Sequence, residues 1–73
     1  MTHEEFLLLM DELLEVEPGT LKGPEKLAEL EGWDSLSIVS FMGLASSRAG
    51  KTLSPKSIGA SQTADDLFAL VTN

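Results

Sequence analysis

One histidine, three pairs of adjacent carboxylates and a serine at a turn are the groups in this sequence that invite a chemical reading; there is no cysteine. His3 falls in what should be a first helical turn, with no serine or cysteine beside it to activate, and reads as a solvated side chain without a role. The pairs Glu4-Glu5, Asp11-Glu12 and Asp65-Asp66 fall on polar helix faces or in first turns. Carboxylates there interact favourably with the helix dipole, so they read as solvated rather than as acid/base or metal groups. The sequence has no EF-hand spacing, no metal-binding histidine pair and no phosphate-cradling glycine loop. No catalytic residue and no metal ligand is assigned.

Ser35 remains, in the run Gly32-Trp33-Asp34-Ser35-Leu36. No base adjoins it, so nothing local activates its hydroxyl, and it suits a group that another protein modifies better than a nucleophile in its own right. A serine ahead of an apolar run is ordinarily a helix N-cap, whose loss by Ser35→Ala would cost about 0.5–2 kcal/mol. A helix N-terminus also presents free N–H groups and the positive end of the dipole, a favourable place for a phosphate.

The elements that must position Ser35 can be read from caps and periodicity. Thr2 and Glu5 form a capping-box pattern; Phe6, Leu9, Met10, Leu13 and Leu14 follow at amphipathic spacing, with Asp11, Glu12 and Glu15 opposite. Pro18-Gly19 is expected to end this first helix. From about Glu17 to Trp33 the breakers Pro18, Gly19, Pro24 and Gly32 make a long loop, anchored by Leu21, Leu27, Leu30 and Trp33, with room for one helical turn near Glu25 to Leu30. Asp34 and Ser35 are both good caps for a second helix, Leu36 to Ala49, whose inner stripe is Ile38, Phe41, Met42, Ala45 and Ala49. Gly50 is placed to stop it. Ser54-Pro55 opens a short third helix ended by Gly59, and Thr63 with Asp66 opens a fourth that runs to the end of the chain. No strand pattern or repeat is present. The fold class is all-α: a small four-helix bundle of three main helices and one short third helix, in a single domain over 1–73.

Twelve acids against five bases among 73 residues give a net charge of -7, which opposes nucleic acid and anionic lipid as partners. The charge is one-sided: ten acids and two bases lie at or before Asp34, net -8, and Ser35 onward is net +1. No apolar run reaches the ~20 residues a membrane span needs, and the first residues lack a basic leader region; a cytoplasmic monomer is the expectation.

The segment Gly32-Trp33-Asp34-Ser35-Leu36, near the middle of a short acidic chain with this helix layout, resembles the attachment motif of acyl carrier proteins. The resemblance extends over essentially the whole chain. It implies that Ser35 receives 4'-phosphopantetheine from coenzyme A through a phosphopantetheinyl transferase, that Asp34 helps the transferase and its magnesium ion engage, and that Leu36 is an exposed partner contact beside the arm. The arm's thiol would hold acyl groups as thioesters for separate acyl-loading and acyl-processing enzymes. The protein itself would not be an enzyme. A cavity to shield the cargo is expected among Met42, Ala45, Ile58, Ala60, Leu67 and Val71.

The second helix departs from the acid-rich one of many family members, offering Ser37, Ser40, Ser46, Ser47 and Arg48 instead. This points to a specialised fatty-acid, lipid or polyketide-type pathway. Leu36, Val39 and Gly43 follow a spacing distinct from the inner stripe and form the expected partner-binding face, although Gly43 could equally serve packing within the domain. Trp33 is expected to pin the loop. Two alternatives stay open: a peptidyl or aminoacyl carrier, and an unmodified interaction domain on the same fold.

Overall fold

The computed structural model describes residues 1–72, and the expected extension of the last helix to Asn73 lies outside them. The described residues form four α-helices and no strand: α1 His3–Leu13, α2 Ser35–Ala49, α3 Pro55–Ala60 and α4 Ala64–Thr72, with a 3₁₀ turn at Leu27–Glu29 in the loop before α2. α1 packs on α2 and α4, and α2 also packs on α3 and α4. The result is a small all-helical globule with a Cα radius of gyration of 10.8 Å.

Local signals set most helix starts. Thr2 and Glu5 close the capping box on α1, Ser54 accepts the Ser57 N–H ahead of Pro55, and Thr63 Oγ1 accepts the Asp66 N–H at 3.2 Å. Gly50, with φ 65°, ends α2 in the left-handed region that glycine enters without steric penalty.

Three differences from the sequence expectation concern the ends of α1 and α3 and the polar face of α1. Pro18-Gly19 does not end α1; the helix ends at Leu13, six residues before Gly19, with Leu14 as its cap, because Glu15 adopts φ 59°. The Val16 N–H then reaches the Asp11 carbonyl and the Glu15 N–H the Glu12 carbonyl, the paired bonds of a Schellman stop. Gly59 does not end α3, which continues to Ala60 with Ser61 as its cap.

Asp11 is the third difference. It is not on the polar face but 1% exposed, and its carboxylate accepts the N–H of Gly19 at 2.9 Å and of Leu21 at 3.0 Å. A buried carboxylate is tolerated because backbone donors replace its water, and here they also strap the long loop to α1.

Phe6 and Met10 of α1 and its cap residue Leu14 meet Phe41 and Ala45 of α2, Ile58 of α3, and Leu67 and Val71 of α4 in one core, with Leu21 and Leu27 from the loop. Phe6 and Phe41 stand edge to face at 6.1 Å, a favoured aromatic geometry. Each fully buried large side chain contributes about 1.5–3 kcal/mol, enough for so thin a core to hold the loop in place.

The loop is also pinned to α4 by its backbone. Leu27 N–H bonds the Gln62 carbonyl at 2.8 Å, and Asp65 N–H bonds the Gly23 carbonyl at 2.9 Å. His3 is not merely solvated: its Nε2 lies 2.6 Å from Asp65 Oδ1 and its ring stands edge-on to Phe68 at 5.0 Å, tying α1 to α4. Asp65, half exposed, is thereby engaged too.

Candidate functional site

The site is the corner where the long loop becomes α2. Gly32 turns the chain with φ 86°, and Trp33 lays its ring edge to face against Phe41 at 6.2 Å, half-buried, so that it pins the loop. Asp34 then adopts extended backbone, its carbonyl takes the first helical bond from Ile38 N–H at 3.0 Å, and its Oδ1 accepts the Ser37 N–H at 3.0 Å. Asp34 is therefore the N-cap. Its carboxyl is held below the usual range, first by that Ser37 N–H, which outweighs the opposing effect of burial, and to a lesser extent by the Ser37 hydroxyl.

Ser35 is consequently not the cap. It is the first residue of α2, exposed, with its hydroxyl making no hydrogen bond among the described residues. The cost expected for Ser35→Ala through loss of a cap does not apply, since Asp34 performs that task.

Leu36 is 78% and Val39 65% exposed, so both stand on the outer face of α2 beside Ser35. Gly43 is exposed on the same helix and a Cβ built there would meet nothing within 4 Å, which removes the reading that it serves packing inside the domain. Ser37, grouped with the outer serines in the sequence reading, is instead 8% exposed, its hydroxyl bonded to the Gly32 carbonyl and to Asp34 Oδ1 at 3.2 Å. Its spacing sets it one turn before Phe41 and two before Ala45, on the buried stripe of α2, a helical period that Ser40 and Ser46 do not share and that the sequence reading passed over. α2 carries no acid, and Arg48 lies about 20 Å along the helix from Ser35 at 1.5 Å per residue.

The expected chamber for cargo is not formed. Ile58 and Leu67 are packed to 1% and 0% exposure, while Ala60 lies at the surface. An apolar crevice between α1, α2 and α4, bordered by Met1, Phe6, Met10, Phe41, Ala45 and Val71, holds about 10 Å³. That is room for about one water molecule, against the ~150 Å³ in which a protein interior accommodates benzene.

Among the described residues no group of three His, Cys, Asp or Glu side chains is placed to hold a metal, and no helix is long and apolar enough to cross a membrane. No family model matches this chain, and neither a curated protein nor a solved structure does. Its fold and site are thus defined by their own geometry: a four-helix all-α domain presenting an exposed serine, relieved of capping, at the head of its second helix.

Proposed function

We propose that this domain is a carrier protein of the acyl-carrier type, with 4'-phosphopantetheine attached to Ser35 and acyl groups held as thioesters on the arm for other enzymes of a specialised fatty-acid, lipid or polyketide-type pathway. The observation that carries the reading is the division of labour at the corner: Asp34 caps α2 and leaves the Ser35 hydroxyl exposed. The bound arm would supply the thiol that forms the thioester. The chain's own part is to present Ser35 Oγ, which forms the new bond to phosphorus and gives up its proton to the transferase, the adenosine bisphosphate part of coenzyme A departing. After that it acts as a tether, raising the effective concentration of cargo at each partner.

Asp34, whose carboxyl is held below the usual range chiefly by the Ser37 N–H, would meet the transferase and its magnesium ion. Leu36, Val39 and Gly43 would form the face that partners touch. A peptidyl or aminoacyl carrier is the second reading, favoured by a crevice of only about 10 Å³, which suits cargo held outside the core.

The test is intact mass after incubation with a phosphopantetheinyl transferase, coenzyme A and magnesium. Wild-type protein should gain the mass of the arm and Ser35→Ala should not, while keeping its helical spectrum. Failure of several broad-specificity transferases to modify the wild type would leave the unmodified interaction domain as the better reading.

A further inference from the structure

We propose that Ser37 is the positioning residue of this site, selecting the one helix start that leaves the Ser35 hydroxyl free; this rests on the carrier reading of Ser35. Asp34 and Ser35 are adjacent residues of nearly equal N-cap strength, so α2 has two candidate starts one residue apart. If Ser35 were the cap, its hydroxyl would accept an N–H from the first turn and be turned into the helix, withdrawn from any enzyme. In the observed start Asp34 is the cap, Ser37 occupies the third helical position, and the Ser37 N–H goes to Asp34 Oδ1 at 3.0 Å.

A serine inside a helix usually points to solvent or bonds the carbonyl one turn back. Ser37 does neither. Its hydroxyl, in a residue 8% exposed, reaches out of the helix to the Gly32 carbonyl in the loop and lies 3.2 Å from Asp34 Oδ1. A hydroxyl has a single proton, so these two acceptors share it, and the sharing draws the residues on either side of Trp33 together. Trp33 itself is held against Phe41, so the corner is fixed from both the loop and the core. Moving the helix start by one residue would shift the cap away from Asp34, break the pairing of Ser37 with its carboxylate and leave the buried hydroxyl and the Gly32 carbonyl poorly satisfied. The buried serine thus stabilises the Asp34 start over the Ser35 start.

The experiment compares wild type, Ser37→Ala, Ser37→Thr and Val71→Ala. Val71→Ala enlarges the crevice between α1, α2 and α4 and serves as a core-destabilised control. For each, kcat/KM of modification by a phosphopantetheinyl transferase is measured beside the thermal midpoint and the amide exchange of Ser37 and Ile38. Ser37→Ala should lower kcat/KM about ten- to a hundredfold, the order expected when a reacting group is misplaced by about an ångström. It should also weaken protection of the Ser37 amide relative to that of Ile38. Ser37→Thr, which keeps the hydroxyl, should recover most of the rate, and Val71→Ala should be modified at the wild-type rate. Equal slowing by Val71→Ala at a matched midpoint would overturn the proposal, as would a Ser37→Ala protein modified normally. A wild type that no transferase modifies sinks the carrier reading instead; the amide exchange then still decides whether Ser37 sets the helix start, and an unchanged pattern in Ser37→Ala refutes it.

Discussion

The Asp11 carboxylate accepts the Leu21 N–H at 3.0 Å across a turn of chain that includes Pro18, and its second oxygen takes the Gly19 N–H at 2.9 Å. One buried side chain thereby fixes where the long loop leaves α1. Asp11→Asn can accept only one of these bonds and presents an N–H₂ to the other donor. It should lower stability by about 1.5–3 kcal/mol, as expected for hydrogen bonds to a charged group. Urea denaturation of the two proteins measures it. An unchanged midpoint would mean that the loop is held by Leu21 and Leu27 alone.

Glu15 is the one non-glycine residue with positive φ among the described residues, at 59°. An L-residue with a Cβ is strained there by about 1–2 kcal/mol, while glycine brings an entropic cost of roughly half that. Its acid also sits beside the negative end of the α1 dipole. Glu15→Gly should therefore raise stability by about 0.5–1 kcal/mol, and Glu15→Ala should give less, since it removes the charge but not the strain. Thermal melts of the pair separate the two causes.

Much of the fold was legible because its signals are local. Thr2 with Glu5, Ser54-Pro55, Gly50, and Thr63 with Asp66 each specify a helix end within four residues, and all four ends appear as read. Asp34 and Ser35 were legible as a pair of caps, but which one caps depends on Ser37 meeting the loop. What was not legible depends on contacts between distant segments. Asp11 looked solvated because its partners lie beyond Pro18 and are backbone groups without a side-chain signature. His3 looked solvated because Asp65 and Phe68 are brought to it only by the packing of α1 on α4. Glu15 was hidden for another reason: the Schellman stop usually takes glycine, and the nearest glycine pointed to the wrong place.

The helix caps predict the acid limb of the stability curve. Asp66 is held below its usual range by the N–H groups of Gln62 and Thr63, Glu5 by the N–H and hydroxyl of Thr2, and Asp34 by the N–H of Ser37. Glu25 is pushed up by burial, but N–H bonds around Lys22 and Gly23 outweigh that and leave it lowered as well. A carboxyl lowered in the folded state contributes stability that is present above its unfolded value, near 4, and is lost as the pH falls through the folded value. Helicity should hold from neutral pH to about 4 and then decline. Asp66→Asn tests the sign: it should lower the melting temperature at pH 7, and the difference from wild type should shrink toward nothing in strong acid. A difference that grows on acidification contradicts the assignment.

On the carrier reading, loading an arm on Ser35 should not stabilise the domain. The sequence suggested a cavity whose filling would bury apolar surface at about 25 cal/mol per Å², and hence a rise in melting temperature with chain length. The crevice observed holds about 10 Å³, and Ile58 and Leu67 leave no exposed surface for a chain to cover. Short-chain and long-chain acyl forms should therefore melt with the unloaded form. A melting temperature that climbs with chain length would show that the core opens to take the cargo.

Partner recognition should rest on Leu36 and Val39, with charge supplied from the loop. These two side chains are 78% and 65% exposed at the head of a helix without acids, whereas Glu29, Glu31 and Asp34 precede it. An apolar pair flanked on one side by carboxylates complements a partner surface with an apolar patch and basic side chains beside it. Contacts of the first kind are insensitive to salt, and contacts of the second are screened within about 8–10 Å at physiological ionic strength. With the phosphopantetheinyl transferase as probe, Val39→Asp should raise KM by about tenfold or more by placing a charge in the desolvated centre. Glu29→Gln and Glu31→Gln should mainly slow association, with a loss that disappears at high salt. Gly43→Ala should stabilise the isolated domain by about 0.5–1 kcal/mol, because a mid-helix glycine with open space above it has no internal packing to lose. If the helix changes leave transfer untouched while the loop neutralisations abolish it at every salt concentration, partners dock on the loop and the outer face of α2 is not their surface.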